Sequence, residues 1–113
     1  MKMLFDRMNT ECEGTVAVNR QAIIVWMSEK YARLIGLQSS AEAIGQPIES
    51  VLPASRMREV VETGQPILLD LMPFGPQHFV VTRLPMHDDH DNLMGAIGFV
   101  LFDHVRQLRP AVE

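Results

Sequence analysis

The 113-residue chain contains one cysteine, Cys12, one tryptophan, Trp26, and one tyrosine, Tyr31. A lone cysteine excludes an internal disulfide, so a reducing, cytoplasmic setting is the simplest expectation. No histidine precedes His78. Basic residues are scattered, and the formal net charge is −4. The chain therefore lacks the electrostatic footprint of a nucleic-acid binder or of a membrane-surface segment. Its longest strongly apolar run, Gly95 to Phe102, is far shorter than the about 20 residues needed to span a bilayer as a helix. The opening Met1-Lys2-Met3-Leu4-Phe5 is interrupted by Asp6 and Arg7, too soon for a secretory signal. No Gly-rich phosphate loop, Ser/His/Asp order or paired carboxylates on one element appear, so nothing announces an enzyme.

What is present is a patterned chain of one-domain size. Leu4, Phe5, Met8 and Cys12 form a stripe at helical spacing. Thr15 to Asn19 and Ala22 to Met27 read as a hairpin turning at Arg20-Gln21. Ser28 is placed to cap a helix carrying Tyr31, Leu34 and Ile35, with Gly36 as its stop. Short helical pieces follow: Ser40 capping Ala41 to Ile44, Ile48 to Leu52 after Pro47, and a longer helix from Ser55 through Glu62, closed by Gly64. Three strands complete the pattern, Pro66 to Pro73, Gln77 to about His87, and Leu93 to Phe102, and Asp103 could cap a last helix. Strands segregated from helices predict an α+β fold with a five-stranded antiparallel sheet and short helices on one face. Residues 1–12 are expected to form an amphipathic helix, 13–103 the domain and 104–113 the start of a linker.

Five segments, in order, resemble the PAS domain family. They are Thr15 to Ser28 as the opening hairpin, Tyr31 to Leu37 as the first helix, and Ala43-Ile44-Gly45-Gln46-Pro47-Ile48 as the turn that follows. Thr82 to Asp89 is similar to the end of the fourth strand and Gly95 to Asp103 to the last strand. Asn19 replaces the usual Asp of the first turn, Ala22 its Gly, and Ser28 a common Asn. Leu52 to Gly64 further resembles PAS domains that stand ahead of bacterial AAA+ enhancer-binding transcription activators. A chain that begins with Met1 and ends in a linker fits such an N-terminal regulatory piece. Histidine kinases and other regulators carry similar domains.

The resemblance implies a sensory and dimerisation module without chemistry of its own. Flavin photochemistry in the family uses a cysteine on a central helix, and haem members commonly use a central-helix histidine. Neither residue is present there, which argues against haem and covalent flavin and leaves any cofactor unknown. Counting back from Pro85, Phe79, Val81 and Arg83 should face the ligand pocket, with Ile97, Phe99 and Leu101 as further pocket candidates. Arg83 has three readings: anchor for a small anionic ligand such as a carboxylic acid, one half of an internal ion pair with Asp70, or a surface residue if the register slips. Both residue sets of the last strand are apolar and both want cover. A homodimer through Leu4, Phe5, Met8 and Phe102 is therefore expected. Val105 and Leu108 either begin a helical seam to a following effector domain or belong to a frayed tail. His87 to Asp91 is read as a solvated loop in preference to a metal site. Two functions stay open: a sensor with a ligand in its pocket, and a ligand-free module for dimerisation and signal relay in a kinase or other signalling protein.

Overall fold

A computed structural model describes residues 14–102 of the chain. Expectations for the helix of residues 1–12 and for the seam around Val105 and Leu108 lie outside these residues. Five strands, β1 (Gly14–Asn19), β2 (Ile24–Met27), β3 (Ile67–Phe74), β4 (Gln77–His87) and β5 (Leu93–Phe102), form one antiparallel sheet. Its order is β2-β1-β5-β4-β3. Between β2 and β3 lie helices α1 (Glu29–Leu34), α2 (Ile48–Val51) and α3 (Met57–Thr63), and a 3₁₀ turn at Ser40–Glu42.

Local chemistry explains these boundaries. Asn19 Oδ1 accepts from the amides of Gln21 and Ile23 at 2.9 and 3.1 Å. Its side-chain oxygen thus nucleates the first turn as an Asp would. Ala22 is not in a strand, as the sequence suggested. It closes the turn in the left-handed region, at φ 62°, with its side chain fully buried. Ser28 caps α1 by accepting from the amide of Tyr31 at 3.1 Å, and accepts from the amide of Thr15 at the same distance. One hydroxyl therefore fixes the helix start and its attachment to β1. The 3₁₀ turn is capped by Ser39, while Ser40 donates to Glu29 at 2.7 Å. Cap and first helical residue are thus shifted by one from the sequence expectation. Gly64 ends α3 at φ 72°, a left-handed stop that costs glycine little.

The core lies between the helices and one face of the sheet. Val16 and Val18 of β1, Ala96 and Val100 of β5, Val81 and Phe79 of β4, and Met72 of β3 meet Tyr31, Leu52, Met57 and Val60 from the helical side. The opposite face is also covered at Thr15, Ala17, Val80 and Phe99. Among the described residues no helix is long and apolar enough to cross a membrane.

Candidate functional site

Period-two alternation and the strand register place one polar side chain in the interior. Arg83 pairs with Gly98 of β5 and Ile67 of β3, and Gly98 in turn pairs with Val16. Arg83 therefore shares its sheet face with Phe79, Val81, Val16, Gly98 and Val100, all directed towards the helices. Its exposure is 2 %, which rules out the surface reading. Gly98 matters here, because a Cβ at that position would come within 2.9 Å of Met57 Cε. The core leaves little room where α3 crosses β5.

A buried guanidinium requires a counter-charge and acceptors. Asp70, the partner expected from topology, supplies both: Arg83 Nη1 donates to Asp70 Oδ2 at 2.9 Å. The other carboxylate oxygen accepts from Arg56 Nη1 at 3.2 Å. Arg56 also holds Glu59 in a two-point pair, Nε to Oε1 and Nη2 to Oε2, both at 3.1 Å. Four charges thus run in alternating sign from exposed Glu59, through Arg56 and Asp70, to buried Arg83. The Arg56 hydrogen bond holds the Glu59 carboxyl below its usual range, and Glu59 in return raises Arg56. Arg56 is the member that sequence reasoning missed. Its signal was the three-residue spacing to Glu59, which puts the two on one side of a helix.

Asp70 owes its position to an irregularity in β3. The β3–β4 register shifts between Ile67 and Asp70. Leu69 sits in the left-handed region at φ 51°, and its amide donates to Thr82 Oγ1 at 3.1 Å. The bulge turns Leu68 and Leu69 out to solvent and Asp70 inward, so the strand is not the regular one its sequence suggested.

Beside Arg83 lies a small cavity of about 10 Å³, bordered by Tyr31, Leu52, Met57, Met72 and Val81. That is room for roughly one water molecule. Arg83 Nη2 is buried with no acceptor among the described residues. Burial pushes the Tyr31 hydroxyl pKa upward, only partly opposed by Arg83, so it stays a neutral phenol. Phe79 is fully buried and stacks on Phe74 with ring centroids 5.9 Å apart.

The structure thus places Phe79, Val81 and Arg83 on one sheet face, and sets the remaining pocket candidates apart. Ile97 stands opposite Leu84 and Ala17, and Phe99 opposite Thr82 and Thr15, so their side chains belong to the other face, while Leu101 falls in the register shift between the pairs Val81–Val100 and Val80–Phe102. Phe99 borders the cavity only from that strand position. Ala96, Gly98 and Val100 take the interior side, and at Gly98 the nearby Met57 leaves little room for a larger residue. For the dimer candidates, Leu4, Phe5, Met8 and the Phe102 side chain lie outside the described residues. In the His87–Asp91 loop, Asp88 Oδ1 accepts from the amides of His90 and Asn92 at 2.8 and 2.9 Å. Those hydrogen bonds pull the Asp88 pKa down and commit its carboxylate to shaping the turn.

An antiparallel sheet with order 2-1-5-4-3, closed on one face by short helices inserted after its opening hairpin, is the architecture of a sensory domain. The profile of the PAS fold family matches residues 3–101, and the chain belongs to that family. A probable C4-dicarboxylate sensor kinase of Halalkalibacterium halodurans is 34 % identical over 86 residues, which cover 76 % of this chain and 16 % of the kinase. Among solved structures, the PAS domain of the histidine kinase ThkA superposes with TM-score 0.64 at 22 % identity, covering 76 % of this chain and 94 % of that one. Vibrio cholerae VqmA, a LuxR-type receptor solved bound to DPO, gives TM-score 0.64 at 20 % identity over 88 % of this chain and 56 % of VqmA. The chain therefore spans about a sixth of the curated kinase and about half of VqmA. It is a PAS sensory domain, similar in sequence to part of a sensor kinase and in fold to the matching parts of ThkA and VqmA.

Proposed function

We propose that this domain is the relay module of a longer bacterial signalling protein, dimerising to control an output domain. The observation that supports this most is the filled interior. Phe79 and its buried neighbours occupy the volume a ligand would need, Asp70 neutralises Arg83, the one buried cation among the described residues, and the cavity beside it has room for about one water. Such a core transmits a change in packing without a resident molecule. The homodimer would form through Leu4, Phe5, Met8 and Phe102. VqmA is described as a dimer, and both faces of β5 carry apolar side chains. The output domain is a kinase or a transcription regulator. The Leu52 to Gly64 segment favours an AAA+ activator, and the curated relative favours a kinase. A cytoplasmic location follows from this reading. Sedimentation of the 113-residue chain at tens of micromolar should show a dimer that Leu4→Glu/Met8→Glu dissociates; a wild-type monomer would contradict it.

A second reading is supported by Arg83 itself. Its Nη2 is buried, without an acceptor among the described residues, and borders a cavity. A guanidinium so placed suits a small carboxylate, and the curated relative is named for sensing C4-dicarboxylates. In this reading the closed interior is the unliganded state of a small-acid sensor. Thermal-shift titration with small acids tests it, since a ligand of the folded state raises stability by mass action.

A further inference from the structure

The Asp70 carboxylate is held as a ligand carboxylate would be. One oxygen lies 2.9 Å from Arg83 Nη1 and the other 3.2 Å from Arg56 Nη1, two guanidinium groups delivered by β4 and by the start of α3. Arg83 also lines the cavity, and its Nη2 is buried with no acceptor among the described residues. Asp70 is itself at the edge of the site, with 22 % of its side chain exposed. It follows directly on the β3 bulge, where Leu69 at φ 51° has left the regular ladder. Asp70 pairs with Val81 at the first position of the regular ladder that continues to Phe74, so a turn of its side chain outward leaves the pairing of Leu71 to Phe74 in place.

We propose that Asp70 is a built-in competitor that occupies a small-carboxylate site formed by Arg83 and Arg56. This rests on the small-acid reading above and adds its regulation. An incoming carboxylate takes the two guanidinium groups, Asp70 swings to solvent, and the bulged end of β3 moves with it. Charge matching supports the exchange. The Arg83, Arg56, Asp70 and Glu59 quartet is neutral, and replacing one internal carboxylate by an external one at the two arginines keeps them neutralised. An apolar wall of Leu52, Met57 and Met72 adjoins Arg83 and suits a short methylene chain. The consequence is a deliberately weakened site, since apparent affinity falls by the fraction of molecules in which Asp70 is displaced.

Titration of the full 113-residue chain with succinate, at constant ionic strength and with succinamide as neutral control, tests this. If the displaced state is a minor one, Asp70→Asn should bind succinate on the order of ten- to a thousand-fold more tightly than wild type. Adding Arg56→Ala, an exposed position, should reverse most of that gain, and succinamide should not bind either protein. If Asp70→Asn does not fold in plain buffer, succinate must restore its folded circular dichroism spectrum. Failure to do so overturns the proposal. Succinate binding that needs Arg83 but is no tighter in Asp70→Asn would overturn the competitor and leave the small-acid reading standing. Absence of succinate binding in a folded Asp70→Asn would remove both, leaving the relay module, which sedimentation tests separately.

Discussion

Two arginine–carboxylate pairs, one joining α3 to α2 and the other β4 to β3, differ mainly in depth. Arg58 grips Glu49 of α2 with two hydrogen bonds, Nε to Oε2 at 2.8 Å and Nη2 to Oε1 at 3.0 Å. Both side chains remain in contact with solvent, at 44 % and 37 % exposure. Arg83 makes one hydrogen bond to Asp70 with 3 % of its side chain exposed. By geometry the first pair is the better one. By consequence the second dominates, because an unpaired charge at Arg83 has no water to turn to. Counting hydrogen bonds would rank these pairs the wrong way round.

The largest effect should come from stranding the buried cation. Asp70→Ala is expected to cost about 3–5 kcal/mol in urea unfolding, the range for breaking a buried pair from one side. A loss below about 1 kcal/mol would show that solvent reaches Arg83 and would erase the contrast. Removing the other member should cost less. In Arg83→Met the carboxylate keeps Arg56 and its partial exposure, and an apolar chain of similar reach refills the interior, so roughly 1–2 kcal/mol is expected. An equal or greater loss than in Asp70→Ala would mean that the carboxylate, not the guanidinium, is the group that cannot be left alone.

The smallest effect should come from the exposed pair. The hydrogen bond from Arg58 lowers the Glu49 pKa from its ordinary 4.5. A carboxyl whose folded pKa is lowered contributes stability that is present above its unfolded pKa and is lost as the pH falls through the folded value. The pair should therefore fade below about pH 4.5, and Glu49→Gln should flatten that part of the stability–pH curve while changing neutral-pH stability far less than Asp70→Ala. Raising sodium chloride to 1 M, where the screening length is about 3 Å, should weaken this pair and leave the interior one nearly untouched. A salt response that vanishes in Asp70→Asn instead would invert the comparison.

How legible each region was in the sequence follows the same physics. The face of Arg83 was expected from the family resemblance, by counting back from Pro85, because the run Phe79-Val80-Val81-Thr82-Arg83-Leu84 does not itself alternate cleanly. Asp70 was legible only as the acid nearest on the neighbouring strand. The bulge at Leu69 that aims it inward leaves no signature in a run such as Ile67-Leu68-Leu69, where every residue suits a regular strand. In β5 alternation carried no information, since Ala96, Gly98 and Val100 are as apolar as Ile97, Phe99 and Leu101. The close approach of Met57 to Gly98 favours the small set facing inward, and that contact joins residues 41 positions apart. Arg56 was hidden for a related reason: a helix-start arginine reads as solvated until a strand brings a carboxylate beneath it.

The central claim is that Arg83 and Asp70 work as one buried unit inside a closed PAS core. A double-mutant cycle on the 113-residue chain, with Arg83→Met, Asp70→Ala and their combination measured by urea unfolding, addresses it directly. The account predicts a double mutant clearly more stable than the sum of the single losses allows, with a coupling of about 1–3 kcal/mol. Losses that add to within about 0.5 kcal/mol would show two independent side chains and contradict it.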